Sequence, residues 1–351
     1  MSETMKAVVL QEKGRITIDD IPRPGAPGPG EVKIAVHTVG ICGSDVHYYT
    51  HGRIGQFVLE QPMILGHEAS GTVLEVGDGV EHLSPGDRVA MEPGIPNPRS
   101  RASREGRYNV DPDVRFWATP PVDGCLTEEV THPAEYTYRL PNSLSYAEGA
   151  LIEPFAVGMQ AATKARLAPG DVAAVVGAGT IGIVTAMAAL AGGASRVYVS
   201  DIAPEKLEKL AGLDGIVPVD ASREDLAQRV AADTDGWGAQ AVFEASGAGA
   251  AYGFVADVAA PGGVVVCVGM PTGPVQFDVV AAQAKELRIE MIFRYANVYR
   301  KAIDLAAGDT VDLARLVTET LPLERSVEVF DRGAEARPTD TKLQIRVDGS
   351  R

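Results

Sequence analysis

Between residues 171 and 201 the chain reads DVAAVVGAGTIGIVTAMAALAGGASRVYVSD, a strand, a glycine turn, a helix and a second strand in succession. Few local patterns restrict a fold as tightly. The run Gly177-Ala-Gly179-Thr-Ile181-Gly182 follows directly on AAVV and opens the helix. Gly177 permits the tight turn, Gly179 lets backbone approach a pyrophosphate, and Gly182 allows close packing of helix on strand. The helix N-terminus then directs unpaired N–H groups and a positive dipole end at the phosphates. Asp201 closes the second strand about twenty positions further on, where a carboxylate accepts from both ribose hydroxyls and repels a 2′-phosphate. No arginine follows Asp201 immediately, and Lys206 lies within reach of the ribose. The pattern predicts a dinucleotide site that takes NAD rather than NADP.

The segments PEKLEKLAG, REDLAQRVAAD, AQAVFEASG and GGVVVCVGM continue the alternation of helix and strand as far as about residue 290. Such β–α–β order implies a parallel, doubly wound sheet with helices on both faces, a Rossmann-type α/β domain. The first 150 residues differ in texture, being rich in Gly, Pro and β-branched residues. EVKIAVHTVG, ASGTVLEVG and GDRVAMEP read there as short strands broken by turns such as PGPGE and SPGD. A chain of 351 residues exceeds the usual size of one core, so two domains are expected. The tail, with helix VYRKAIDLAAGD and strand-like KLQIRV, is expected to fold back on the β module. The expected division is 1–154 plus 290–351 and, between them, 155–289.

Acids outnumber bases 47 to 32, for a net charge of −15. Such a surface repels phosphate backbones, which argues against nucleic-acid binding. Three cysteines, Cys42, Cys125 and Cys267, are too few and too scattered for a disulfide framework. No run approaches 18 uncharged apolar residues, and a soluble cytoplasmic protein without a membrane partner is expected.

Cys42 lies in VGICGSDVHYYTHG, between glycines and polar residues. On its own it reads as a small hydrophobe at a strand end. His67-Glu68 follows 25 residues later, between Gly66 and Gly71, and a His-Glu pair is commonly a solvated loop. Glu153 sits inside the apolar run GALIEPFAVGMQAA, where a lone carboxylate is costly to bury. A divalent cation would answer that cost. Thiolate, imidazole and carboxylate with a water in the last position describe a catalytic zinc site.

These motifs taken together (G-x-C-G-S-D-x-H, G-H-E-x-x-G-x-V, I-E-P and the nucleotide segment) resemble the zinc-dependent medium-chain dehydrogenases, and within them the polyol branch. The resemblance spans essentially the whole chain, from MKAVVL to KLQIRV. It implies a GroES-like β domain built from both chain ends, with the NAD domain between. It implies Cys42, His67 and Glu68 as metal ligands, with Glu153 reaching zinc directly or through its water. It implies metal-assisted removal of the substrate's hydroxyl proton, then hydride transfer to NAD. Ser44 and His47 match proton-relay positions; Tyr48, Phe116, Arg294 and Tyr295 match substrate-contacting ones. Ile181, Val268, Gly269, Met270 and Phe293 complete the implied cofactor set.

One departure stands out. The resemblance implies that most bacterial relatives carry a second, structural zinc on four cysteines before the GRYN motif. Here Asn97, Ser100, Ser103 and Asp111 fall at those positions, so one zinc per subunit is expected. The implied substrate is a polyol, xylitol ahead of sorbitol, and the implied assembly a homotetramer. Competing readings are a zinc-free quinone reductase-like protein, an L-threonine or simple alcohol dehydrogenase, and a nucleotide-binding relative without turnover. The first does not account for Cys42, His67 and Glu68 occurring together.

Overall fold

The computed structural model describes residues 3–308 and 310–347. The chain divides into two compact units, one running to Glu153 and resuming at Tyr299, the other spanning Pro154–Val298. The passage between them falls within the helix Tyr146–Ala165.

The second unit is built on a six-stranded parallel sheet. Its order across the sheet is Ile216–Asp220, Arg196–Asp201, Val172–Val176, Ala239–Glu244, Ala259–Cys267 and Arg288–Met291. Numbered along the chain, that is third, second, first, fourth, fifth, sixth, so the winding reverses between Val172–Val176 and Ala239–Glu244. Ligands of open parallel sheets bind beyond the strand C-termini at this reversal. The last strand pairs with Ala259–Cys267, which carries the unit past the sequence boundary at 290 as far as Val298. The helix Thr180–Ala191 is apolar around its whole circumference and is buried from Gly182 to Ala189, as such helices are. Ala174, Tyr198, Val242 and Val265 form the core on one side of the sheet.

In the first unit the strand Glu31–Gly40 alternates half-buried and buried residues along most of its length. Antiparallel neighbours are Glu68–Val76, Glu129–Pro133 and, from the far end of the chain, Lys342–Arg346. That last pairing makes the unit discontinuous. Val32, Ile34, Leu126, Phe330 and Ile345 are among its buried core residues, each contributing about 1.5–3 kcal/mol by leaving water.

The arginine-rich lobe at 95–113 is knit by hydrogen bonds at the four positions where relatives were expected to hold zinc. The Asp111 carboxylate, 3% exposed, accepts from Asn97 N–H at 2.6 Å, Ser103 Oγ at 3.4 Å and Asp113 N–H at 3.1 Å. Ser100 Oγ donates to Ser103 Oγ at 3.0 Å. Asn, Ser, Ser and Asp thus form a closed polar knot in place of four thiolates.

Below the lobe Glu92 is buried and accepts from the hydroxyls of Tyr108 (2.7 Å) and Tyr138 (3.0 Å). Burial pushes its carboxyl up to about 7, against the pull of the two hydroxyls. His132, whose Nε2 lies 3.0 Å from the Glu92 carbonyl oxygen, is pushed down by burial to about 4. The two act on stability in opposite directions. A raised acid contributes stability that is whole below its unfolded value and is lost as pH rises through the folded one; a depressed histidine contributes stability lost as pH falls. Glu92→Gln removes only the first effect. The variant should therefore gain on the wild type by a total of about 3 kcal/mol as pH rises from the ordinary carboxyl value of 4.5 to about 7. Denaturant unfolding across that range measures it, and parallel profiles for the two proteins would refute it.

Candidate functional site

Cys42 is the N-cap of the helix Gly43–His51. Asp45, in the first turn, accepts the Cys42 N–H at 3.0 Å through Oδ2. Through Oδ1 it accepts the Gly66 N–H at 3.1 Å and faces His67 Nδ1 at 3.6 Å. One fully buried carboxylate therefore ties the Cys42 turn to the turn that presents His67. Glu68 begins the strand Glu68–Val76 and lies opposite Gly40. A Cβ at Gly40 would sit 2.1 Å from Glu68 Oε2, so only glycine leaves that carboxylate its place.

One donor atom each from Cys42, His67 and Glu68 lie within 4.8 Å of one another. His67 and Glu68 are buried, 5% and 1% exposed, and Cys42 is half-buried. A soft thiolate, an imidazole and a carboxylate make three protein donors and leave the fourth tetrahedral position free, which suits catalytic zinc. The local field favours positive charge. Burial opposes protonation of His67, yet Asp45 and Cys42 outweigh it and lift the imidazole well above its ordinary value. The same field is available to a divalent cation.

Glu153 is buried beside Pro154 in the helix Tyr146–Ala165, outside this group of three. Lys342, buried on the strand Lys342–Arg346, donates to both oxygens of Glu68 (2.7 and 2.8 Å) and to the Ile41 carbonyl at 3.1 Å. Burial works against its charge, but Glu68 and then Cys42 outweigh that and raise its pKa. The Phe116 ring lies 5.7 Å from that of His67 and walls it on one side. Ser44 is half-buried and His47 exposed on the Gly43–His51 helix, with the His47 ring 5.3 Å from His51. Tyr48 is buried in the core of the first unit.

In the second unit the expected cofactor positions lie at or just past strand C-termini or in the first turn of the next helix. Gly177 has φ +102°, and a Cβ at Gly182 would lie 1.8 Å from the Gly177 carbonyl oxygen. A Cβ at Gly179 would meet nothing within 4 Å, so this backbone is open to approach. Ile181 is half-buried in the first turn of the helix. Asp201 accepts the N–H groups of Ala178 at 2.8 Å and Ala203 at 3.0 Å, and Lys206 Nζ lies 3.8 Å from it. Val268 and Gly269 are half-buried, while Met270 and Phe293 are exposed. Arg294 has φ +58° and stacks on Phe293 at 4.7 Å, and Tyr295 is buried.

Residues 28–142 match the alcohol dehydrogenase GroES-like domain family, and residues 180–308 the zinc-binding dehydrogenase family. A D-xylulose reductase of Morganella morganii is 52% identical over 334 residues, covering 94% of this chain and 98% of that one. The chain belongs to the zinc-binding dehydrogenase family. A sorbitol dehydrogenase of Gallus gallus is 41% identical over 97% of this chain and 96% of its own length, which places this dehydrogenase in the polyol branch. Among solved structures, an Escherichia coli oxidoreductase/dehydrogenase of unknown specificity superposes with a TM-score of 0.94. It is 34% identical and covers 99% of this chain and 100% of its own. The GroES-like and Rossmann-type architecture expected from the sequence holds.

Two further residues, Asp45 and Lys342, shape the cluster of this zinc-binding dehydrogenase. Asp45 carried a signal, since an acid three residues after a helix cap is a capping pattern. Lys342 carried none, lying 274 residues from its partner Glu68. Cys125 and Cys267 are both buried.

Proposed function

We propose that this dehydrogenase oxidises a secondary hydroxyl of xylitol to give D-xylulose, and of sorbitol to give fructose, with NAD taking the hydride. The observation that carries the reading is the convergence of one donor atom each from Cys42, His67 and Glu68 within 4.8 Å, a set of three that would leave a fourth tetrahedral position to substrate. Zinc held there supplies a Lewis acid that lowers the pKa of a substrate hydroxyl. Asp45 orients the imidazole of His67, and Phe116 shields the ring from water. Ser44 and His47 take the released proton outward, His47 from its exposed place on the helix. Glu153 serves as a carboxylate near the site rather than as a direct ligand. Tyr48, Arg294 and Tyr295 supply hydroxyl partners, and their loss hurts polyols more than simple alcohols because polar groups would be left unpaired.

Gly177, Gly179, Ile181 and Gly182 cradle the pyrophosphate, and Asp201 with Lys206 takes the ribose. Ile202, 78% exposed beside Asp201, offers an apolar wall for the adenine. Val268, Gly269, Met270 and Phe293 line the remaining half. Asp201 carries the preference for NAD. Asp201→Ser should lower kcat/KM for NAD by about 10- to 100-fold, the worth of a charge-assisted hydrogen bond, and narrow the NAD to NADP ratio by at least as much. Initial rates with both cofactors check it; an unchanged ratio would place the discrimination elsewhere. The strand Arg288–Met291 is a sheet edge with Met291 65% and Ile289 38% exposed, which supports pairing with a second copy. Homotetramers are the proposed assembly, in the cytoplasm, and a monomer mass by light scattering would refute the assembly.

NADH formation with xylitol, sorbitol and 2-butanol, before and after chelation, tests the whole reading. Chelator-sensitive turnover favouring a polyol is expected. Turnover on 2-butanol alone, or turnover indifferent to chelation, would overturn it.

A further inference from the structure

The strand order reverses its winding between Val172–Val176 and Ala239–Glu244, and the last residue of the second of these strands is a glutamate with no exposure at all. An unpaired buried carboxylate is costly, and no Lys or Arg pairs with Glu244 among the described residues. Its negative charge is instead met by the chain that follows it. The side chain accepts the N–H groups of Ser246 at 2.9 Å and Gly247 at 3.0 Å, together with the Ser246 hydroxyl. Its carbonyl oxygen accepts from both Val268 N–H and Gly269 N–H at 2.8 Å. A Cβ at Gly269 would stand 2.2 Å from Gly247 N and 2.5 Å from Glu244 Oε2. Tyr252, buried, closes the knot by donating its hydroxyl to the Gly269 carbonyl at 2.8 Å.

Glu244 therefore joins the loop after the fourth strand to the loop after the fifth, backbone against backbone. Where these loops lie on the sheet matters. The glycine turn after the first strand takes the pyrophosphate and Asp201 on the second takes one ribose. The other half of a dinucleotide must then lie across the reversal, over the fourth and fifth strands.

We propose that Glu244 is a positioning residue for the nicotinamide half of the cofactor, holding the Ser246–Gly247 and Val268–Met270 loops in the shape that half requires. The inference rests on the reading of this unit as a nicotinamide-dinucleotide site. Glutamine keeps the shape of Glu244 and can leave its oxygen at the Oε1 position, but it removes the charge that strengthens the three bonds there and puts an N–H donor in place of Oε2, which faces the Gly247 N–H at 3.3 Å.

The test compares NADH with ADP-ribose, which lacks the nicotinamide, as ligands of zinc-loaded wild type and Glu244→Gln. The variant should bind NADH about tenfold more weakly and ADP-ribose within about twofold of wild type, with KM for NAD raised more than KM for the polyol. Equal losses for both ligands, or no loss, would overturn the proposal, since a purely structural role does not distinguish them. Should Glu244→Gln fail to fold, Ser246→Ala, which removes a single hydroxyl, decides by the same comparison. Wild type that binds neither ligand would instead refute the dinucleotide reading itself.

Discussion

His67→Ala is expected to remove bound zinc and polyol oxidation together. The imidazole is one of three donors whose atoms converge within 4.8 Å, and nothing else in that group can take its place. Lewis-acid assistance is worth several kcal/mol, and each 1.4 kcal/mol is a factor of ten, so kcat/KM should fall by about 10³-fold or more. Metal analysis should find one zinc per wild-type chain and close to none in the variant. The expectation of a single ion rests on the lobe, where Asp111 and its neighbours close their own hydrogen bonds at the four positions without a thiolate. Asp45→Asn grades the effect. Asp45 touches ligand-bearing backbone and His67 from outside the donor set, and losing such a partner costs about 10- to 100-fold in metal affinity. A His67→Ala protein that keeps its zinc and its turnover would remove the cluster from the chemistry. Two tightly held ions per wild-type chain would refute the single-site reading.

Much of this was legible because it is local. The strand, glycine turn and helix at 171–201 announce themselves within thirty residues, since tight turn, close backbone approach and helix start all depend on neighbours in sequence. Alternation along Glu31–Gly40 is visible for the same reason. What the sequence hides is long-range. Lys342 reads as one charged residue in a strand-like tail, and its place beside Glu68 exists only because Lys342–Arg346 pairs with Glu31–Gly40. Gly40 reads as a strand end, and its need for glycine appears only when Glu68 crosses it. Glu244 sat inside AQAVFEASG as an acid ending a strand; the second loop it binds arrives 24 residues later, from Val268 onward. The boundary at 290 moved because a sixth strand, with Ile289 and Met291 exposed, lacks the unbroken apolar run of an interior strand.

Lys342→Met is expected to destabilise the metal-free protein by about 3–5 kcal/mol, the cost of leaving one member of a buried ion pair without its partner. Both groups are shut away from water, Lys342 at 4% and Glu68 at 1% exposed, and the ammonium bonds both carboxylate oxygens. Methionine fills much the same volume, so the loss reports charge rather than a cavity. A second substitution separates the two ways of reading it. If the pair is held for stability alone, Lys342→Met with Glu68→Gln should recover most of the loss, because neutral groups no longer need a counter-charge. Zinc offers a second route. A divalent cation beside Glu68 supplies the positive charge that Lys342 no longer does, so zinc should raise the unfolding temperature of Lys342→Met more than that of wild type. Thermal unfolding of both proteins, chelated and zinc-loaded, gives all four values. Equal zinc-induced shifts would mean that Glu68 does not share its charge with the metal. The donor set would then reduce to Cys42 and His67, with the buried Glu153 the carboxylate proposed to complete it.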